Sequence, residues 1–242
     1  MIKVKNLSTT FGKKVVHDNI SFDIKKGEIF GILGGSGTGK TVLLRQIIML
    51  DPIQKGEIDI LGYNISKLKY KERDLIKKQW GVLFQFGALF SSLNVLENIG
   101  FLLKENSNLP KNLIDDIAYT KLKMVGLDPD VGRLYPEELS GGMKKRVAIA
   151  RSLALDPKVL FLDEPTSGLD PVSAKAFDNL ILELRDMLDL TVVVITHELN
   201  TIKSVLDRFT IIHKGDLLVT GDFNDALNKN NDIIDRFLKI QR

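Results

Sequence analysis

Phe30-Gly31-Ile32-Leu33 runs apolar into Gly34-Gly35-Ser36-Gly37-Thr38-Gly39-Lys40-Thr41, and helical apolar spacing follows at Val42, Leu43, Ile47 and Ile48. Few folds accept so abrupt a passage from strand to helix. Glycine lets a backbone turn take positive φ and leaves its amides uncovered, so that successive N–H groups form a nest for an anion. The first turn of the next helix adds the positive end of its dipole. Gly34, Gly39, Lys40 and Thr41 fit the spacing G-x-x-x-x-G-K-[ST], with the strand and helix that give this pattern its meaning. Read so, residues 34–41 cradle phosphate, with Gly35, Ser36, Gly37 and Thr38 in the turn. Lys40 reaches the β- and γ-phosphates and the Thr41 hydroxyl binds Mg²⁺. The alternative is a solvated loop with an incidental lysine.

A phosphate cradle needs a carboxylate for its metal. Val159-Leu160-Phe161-Leu162 ends in Asp163-Glu164, two acids at the carboxyl end of an apolar strand, where open α/β sheets bind ligands. Asp163 would act on Mg²⁺, and Glu164 would orient or deprotonate a water attacking the γ-phosphate. Taken alone, the pair also reads as an acidic strand cap before Pro165. Ser140-Gly141-Gly142 ahead of Met143 and an apolar helix face (Val147, Ala150, Leu153) is a second helix start suited to an anion. By itself such a triplet is as readily a simple cap.

The rest of the chain sets the frame. Short alternating stretches at residues 2–4, 15–16 and 20–24 read as hairpin strands, and residues 28–33 and 56–60 as further strands. From about 95 to 154 helical periodicity dominates, punctuated by Pro110, Gly126, Pro129 and Gly132. Apolar strands at 159–162 and 190–195 enclose a helix at 172–188, which argues a parallel sheet. Residues 209–212 and 217–220 make a hairpin around Lys214-Gly215-Asp216, and the tail reads as helical. The basic stretch at residues 67–80 (KLKYKERDLIKKQW) reads as a solvated amphipathic helix.

The 242 residues include no cysteine, which excludes disulfides, thiolate metal sites and cysteine nucleophiles. A formal charge of +3, with acids and bases interspersed, gives little support to a nucleic-acid partner. No apolar run approaches the roughly 18 residues of a membrane span, and the first residues lack a signal-peptide core. The expectation is a cytosolic chain whose membrane role comes through a partner.

Together these motifs resemble those of the ATP-binding cassette (ABC) ATPases. GGSGTGKT, then Gln85 in LFQFGALF, LSGGM, FLDEP, SGLD and Ile195-Thr196-His197-Glu198 stand in that family's order over nearly the whole chain. The resemblance implies an α/β P-loop NTPase core with a mainly parallel sheet, an N-terminal antiparallel β-lobe and an inserted α-helical lobe. As a single domain over residues 1–242, its core lobes would be 1–86 and 156–220, its helical lobe 87–155 and its helical tail 221–242. It implies ATP and Mg²⁺ as cofactors, and a head-to-tail homodimer in which Ser140, Gly141 and Gly142 contact the γ-phosphate bound by the opposite subunit. Catalytic roles fall on Lys40, Glu164, Gln85, which also touches Mg²⁺, and His197, the switch histidine. Asp170, in Ser167-Gly168-Leu169-Asp170, matches the D-loop that links the two sites; its other reading is a helix cap before Pro171. Phe11 stands where the family stacks an aromatic on adenine, or else belongs to the core of the β-lobe. His17 and His213 read as structural.

One cassette without a span implies a free-standing ATPase subunit served by an integral-membrane permease. After Gln85, the aromatic segment with Phe86, Leu89 and Phe90 lies where the family grips its permease, although some of these side chains are expected to pack inside the helical lobe. Met143 stands where many cassettes have glutamine. FQ-x-GALF with LSGGM resembles the ATPases of MCE-associated (Mla-type) phospholipid transporters, which would place the chain on the cytoplasmic face of a bacterial inner membrane. An MCE protein, and a STAS-domain protein beside it, are the further partners implied. An importer of amino acids or other small solutes is the competing reading. Cassettes of DNA repair or translation carry paired cassettes, zinc cysteines or coiled-coil insertions, none of which occurs here, and no nucleic-acid partner is expected.

Overall fold

The alternating strands that open the chain and the fully buried apolar strands fall in different sheets, and the chain visits them in turn. The computed structural model describes residues 1–85 and 87–238. These divide into two units, one built from residues 1–77 and the chain from 191 onward, the other from residues 78–190. The first unit opens with β1 (Ile2–Phe11), β2 (Lys14–Ile24), β3 (Ile29–Leu33), α1 (Lys40–Ile47), β4 (Lys55–Ile60), β5 (Tyr63–Asn64) and α2 (Tyr70–Lys77). The second holds β6 (Trp80–Leu83), α3 (Val95–Asn106), α4 (Lys111–Met124), α5 (Gly141–Ser152), β7 (Val159–Asp163) and α6 (Pro171–Leu188). The first resumes with β8 (Thr191–Thr196), α7 (Leu199–Ser204), β9 (Arg208–His213), β10 (Asp216–Gly221), α8 (Phe223–Asn228) and α9 (Asp232–Leu238).

In the first unit the alternating strands form an antiparallel sheet in the order β2-β1-β4-β5, with Ile2, Val4 and Leu7 of β1 buried on one face. β3 is buried along its whole length and lies parallel to both β8 and β9, while β10 runs antiparallel to β9. A strand so enclosed must be apolar throughout, and Ile29, Phe30, Ile32 and Leu33 satisfy that. Leu33 pairs with Thr196, so the glycine turn leaving β3 and His197 leaving β8 emerge at the same sheet edge. That edge is where ligands collect in open parallel sheets.

The second unit pairs β6 parallel to β7, with Leu83 opposite Leu162, and Trp80 packs edge-on against Phe161 at 6.4 Å between ring centroids. Gln85 and Asp163 therefore leave their strands at one edge. Four helices lie between or after these strands, and their starts follow from capping chemistry. Asn94 and Glu97 make a reciprocal capping box on α3, and Asp170 accepts from the Val172 and Ser173 amides ahead of α6, with Pro171 at its first position. Val147, Ala148, Ile149 and Ala150 of α5 are fully buried. Among the described residues no helix is long and apolar enough to cross a membrane.

Several sequence expectations need correction. The stretches at 15–16 and 20–24 are one strand, β2, joined through bulged pairing to a β1 that runs on to Phe11. α1 stops at Ile47, one residue short of the apolar spacing that reaches Ile48, because Met49 takes φ 60 and the Leu50 amide closes onto the Arg45 carbonyl at 2.7 Å, a Schellman-type end. The basic stretch 67–80 is not one solvated helix: α2 ends at Lys77, and Trp80 opens a strand, because its indole and Leu83 have an apolar partner strand to cover them. The tail is helical as read, in two short helices, α8 and α9, whose Ala226, Ile234 and Leu238 join Phe209, Ile211 and Val219 in a buried cluster. Residues 239–242 and Phe86, part of the expected tail and docking segment, lie outside the described residues.

Gly81 shows how tightly β6 is set against α5. A Cβ there would run into the Ser152 carbonyl oxygen, which is backbone and unable to give way. Gly81→Ala is expected to lower unfolding free energy by ~1–3 kcal/mol, as overpacking does. Gly62→Ala, whose Cβ would meet open space at φ +85, should cost only about 1–2 kcal/mol, and urea titration of the two variants measures the difference.

Candidate functional site

The glycine turn is closed from within by its own lysine. The Lys40 side chain, 7% exposed, donates from Nζ to the carbonyls of Gly34 and Gly35 at 2.9 Å each, and so fixes the turn at both ends. Thr38 Oγ1 donates to the Gly35 carbonyl at 3.0 Å. At Gly34 a Cβ would meet the Ile212 carbonyl oxygen at 2.5 Å and Thr38 Oγ1 at 2.7 Å, and at Gly39 it would meet Val16 Cγ1 at 2.5 Å and His17 Nε2 at 2.7 Å. With φ of +155° and +98°, these two positions accept nothing but glycine.

Over this turn opens a hollow of about 400 Å³, lined by Phe11, Lys14, Val16 and residues 37–42. Phe11 is 54% exposed and looks into that hollow, so of its two sequence readings the core one fails. Lys14 puts a second cation on the wall, which sequence reasoning missed because a lysine in a hairpin turn is commonplace. His197 is exposed at the end of β8, on the edge from which the turn departs. Thr41 is exposed at the start of α1. The first unit thus gathers Phe11, the turn, Lys40 and Thr41 around one cavity, with His197 at the shared edge. A wall of amides, an aromatic and two cations suits a nucleotide's phosphates and base.

In the second unit Asp163 is the buried last residue of β7, and Glu164 follows with φ 47, a left-handed conformation that costs a non-glycine residue about 1–2 kcal/mol. Such strain is tolerated where the position of a side chain matters. Lys145 of α5 supports it from below: its Nζ donates to the Pro165 carbonyl at 2.5 Å and reaches the Glu164 carbonyl at 3.4 Å. Burial lowers the Lys145 pKa and the Glu164 charge opposes that shift. In the sequence Lys145 is one of three consecutive cations, Lys144, Lys145 and Arg146, and its buried partners are what distinguish it. Gln85 is partly buried just past β6.

Ser140 caps α5, its Oγ accepting from the Met143 amide at 3.2 Å. The cap reading therefore holds, and it leaves the glycines unexplained. Gly141 and Gly142 have no positive φ, and a Cβ on Gly142 would meet nothing while one on Gly141 would touch only Leu169 Cδ2 at 4.0 Å. Among the described residues no neighbour demands glycine at either position. Asp170 is an N-cap too, and hydrogen bonds from the Ser173 side chain first, and from the Ser173 and Val172 amides, hold its pKa below the usual value. Beyond Gln85, Arg151 donates to the Gly87 and Ala88 carbonyls at 2.8 and 2.7 Å and lies over the Phe90 ring, while Asn98 ties both the amide and the carbonyl of Phe90. Phe90 stays 42% exposed on this pinned loop, with its other face against Phe101.

Among the described residues no three His, Asp or Glu side chains cluster as a metal cage. Asp163 offers a carboxylate and Thr41 a hydroxyl, hard oxygen donors of the kind Mg²⁺ takes together with substrate phosphates.

Comparison with known proteins adds identity to this geometry. Residues 17–167 match the family described as ABC transporter. The intermembrane phospholipid transport system ATP-binding protein MlaF of Haemophilus influenzae is 39% identical over 239 residues, 99% of this chain and 90% of that protein. The methionine import ATP-binding protein MetN of Francisella tularensis is 44% identical over 230 residues, 93% of this chain and 65% of that one. The dimeric post-hydrolysis state of the ATP-binding cassette MJ0796 bound to ADP and Pi shares the fold with a TM-score of 0.82 at 30% identity, covering 92% of this chain and 98% of the other. An antiparallel N-terminal sheet, parallel strands carrying a glycine cradle and a helical insertion, matched across nearly the full length, make this chain a member of the ABC transporter family and an ATP-hydrolysing cassette.

Proposed function

We propose that this cassette powers phospholipid transport between bacterial inner and outer membranes, as the ATPase subunit of an Mla-type transporter. The observation that carries the lipid reading is the full-length likeness to MlaF, 39% identical over 99% of this chain, with 90% of that protein covered. MetN is more identical, at 44%, but this chain spans only 65% of it, so the methionine importer is matched without a third of its length. The importer reading is the alternative on that account.

ATP is held by residues 34–41, with Phe11 stacked on the adenine and Lys40 neutralising the terminal phosphates. Mg²⁺, carried by Thr41, Gln85 and Asp163, supplies charge neutralisation at the phosphate oxygens. Glu164 accepts the proton of the attacking water, with Gln85 and His197 as polar contacts of the γ-phosphate. Support for Glu164 comes from its left-handed backbone above the buried Lys145. Two copies pair head to tail, and Ser140, Gly141 and Gly142 of one close on the γ-phosphate held by the other, while Asp170 links the two sites. The uncrowded glycines at the start of α5 favour this arrangement, because an outside phosphate oxygen needs the room a side chain would fill. The pinned loop bearing Phe90 is the docking surface for an integral-membrane permease, and an MCE protein and a STAS-domain protein complete the complex at the cytoplasmic face of the inner membrane.

Glu164→Gln should retain MgATP binding and lose ~10²–10⁴-fold in hydrolysis rate, the usual weight of a general base. A turnover assay that finds this variant as fast as the native chain removes Glu164 from the role. For the lipid reading, the cassette is purified with the membrane proteins that accompany it and assayed in vesicles. Phospholipid is expected to stimulate ATP hydrolysis and to move between membranes, and methionine to do neither. Stimulation by methionine alone would assign the chain to the importer class.

A further inference from the structure

His17, read from the sequence as a structural residue, is fully buried on β2 with both ring nitrogens engaged. Nδ1 lies 3.1 Å from Thr9 Oγ1, and Nε2 lies 3.2 Å from the carbonyl oxygen of Gly39, the last glycine of the phosphate turn. The Thr9 hydroxyl in turn lies 3.2 Å from Gln46 Oε1. Gln46 cannot reverse its amide, because its Nε2 donates to the Pro52 carbonyl at 3.1 Å.

The ring's tautomer decides which of these contacts are hydrogen bonds. Both ends, Gly39 O and Gln46 Oε1, only accept. Between them lie three contacts, served by one hydroxyl proton and the ring protons. Burial lowers the His17 pKa, against the opposing bond to Gly39, and so favours the neutral ring with one N–H. Two protons must then serve three contacts. If Nδ1 carried the proton, the Nε2 lone pair would face the Gly39 oxygen lone pairs in a buried setting. If Nε2 carries it, the Gly39 bond forms and the Thr9 hydroxyl turns to Nδ1, leaving the Thr9 and Gln46 oxygens facing each other at 3.2 Å. Each arrangement leaves one such acceptor pair, and the second is the one that puts a hydrogen bond on the turn. Among the described residues no carboxylate bonds the ring, and Lys40, the cation of its partner peptide, is engaged by the Gly34 and Gly35 carbonyls.

The consequence lies in the peptide plane. In a trans peptide C=O and N–H point to opposite sides, so whatever fixes the Gly39 carbonyl fixes the Lys40 N–H. The Gly39 oxygen accepts the Leu43 amide at 2.9 Å within α1 and the His17 ring from the sheet side. Two bonds from different elements hold a peptide whose glycine, at φ +98°, has the widest choice of alternatives. A bonded carbonyl also polarises its peptide and strengthens the N–H as a donor. Building on the phosphate-cradle reading, we infer that His17 is a positioning residue for nucleotide binding, its Nε2–H holding the Gly39–Lys40 peptide so that the Lys40 amide faces the phosphate.

The test compares His17→Leu, which fills the space without a donor, with His17→Gln, whose amide replaces Nε2–H. MgATP affinity by titration calorimetry should fall about tenfold in the leucine variant (~1.4 kcal/mol) and stay within about twofold of native in the glutamine variant. Native affinity in the leucine variant, or equal losses in both, would reduce His17 to packing and overturn the inference. The nitrogen NMR spectrum of the native chain gives a reading that needs no variant. It should show the proton on Nε2 and a shift of that signal on addition of MgATP. A proton found on Nδ1 alone would overturn the inference. Failure of the native chain to bind MgATP would take down the cradle itself, an outcome distinct from native binding that His17 does not influence.

Discussion

A backbone that is to hold phosphate by its amides must first dispose of its carbonyls, and this constraint organises the first unit. Residues 34–41 meet it with their own parts and with the sheet behind them. Lys40 takes the carbonyls of Gly34 and Gly35, Thr38 shares the latter, and the Gly39 carbonyl is taken by α1 and by His17. Each bonded carbonyl turns its partner N–H to the other side. The glycines follow from the same demand, since Ile212 O and His17 Nε2 lie where side chains on Gly34 and Gly39 would have to go. The buried strand β3, held between two parallel neighbours, gives the turn a fixed base.

The second unit solves a different problem with similar economy. Acids at the end of β7 must be held in place although their strand has ended. A buried lysine reaching the carbonyls of Glu164 and Pro165 does this from α5, the helix whose own start carries Ser140 and the two uncrowded glycines. One helix thus supports the acids at its side and offers an open amide face at its tip. In the proposed head-to-tail pair that face serves the other copy's nucleotide.

Residues whose chemistry is local were legible in the sequence. The cradle, the acid pair, the caps at Ser140 and Asp170, and the apolar strands read at 159–162 and 190–195 all announce themselves within a few positions. What the sequence withheld depends on distant partners. Trp80 looked like the end of a basic helix because its covering strand, β7, lies some eighty residues on. Phe11 stayed ambiguous between core and ligand wall until its exposure was seen. Lys145 was one cation among three, and His17 an isolated histidine, because neither the Pro165 carbonyl nor the Gly39 carbonyl is adjacent in sequence. The substrate of the transporter is withheld for a further reason: the cassette hydrolyses ATP, and in the proposed complex the permease selects the cargo.

Two damaged copies provide the most direct test of a nucleotide site shared between copies. Lys40→Ala removes the phosphate ligand and Ser140→Arg blocks the amide face, so each variant alone should be inactive as a homodimer. In a mixed dimer, one interface joins the intact cradle of the Ser140→Arg copy to the intact α5 start of the Lys40→Ala copy. Steady-state ATP hydrolysis is therefore expected to reappear when the two are combined. A mixture that stays silent while forming dimers, or a Ser140→Arg homodimer that hydrolyses ATP at the native rate, would contradict the shared site.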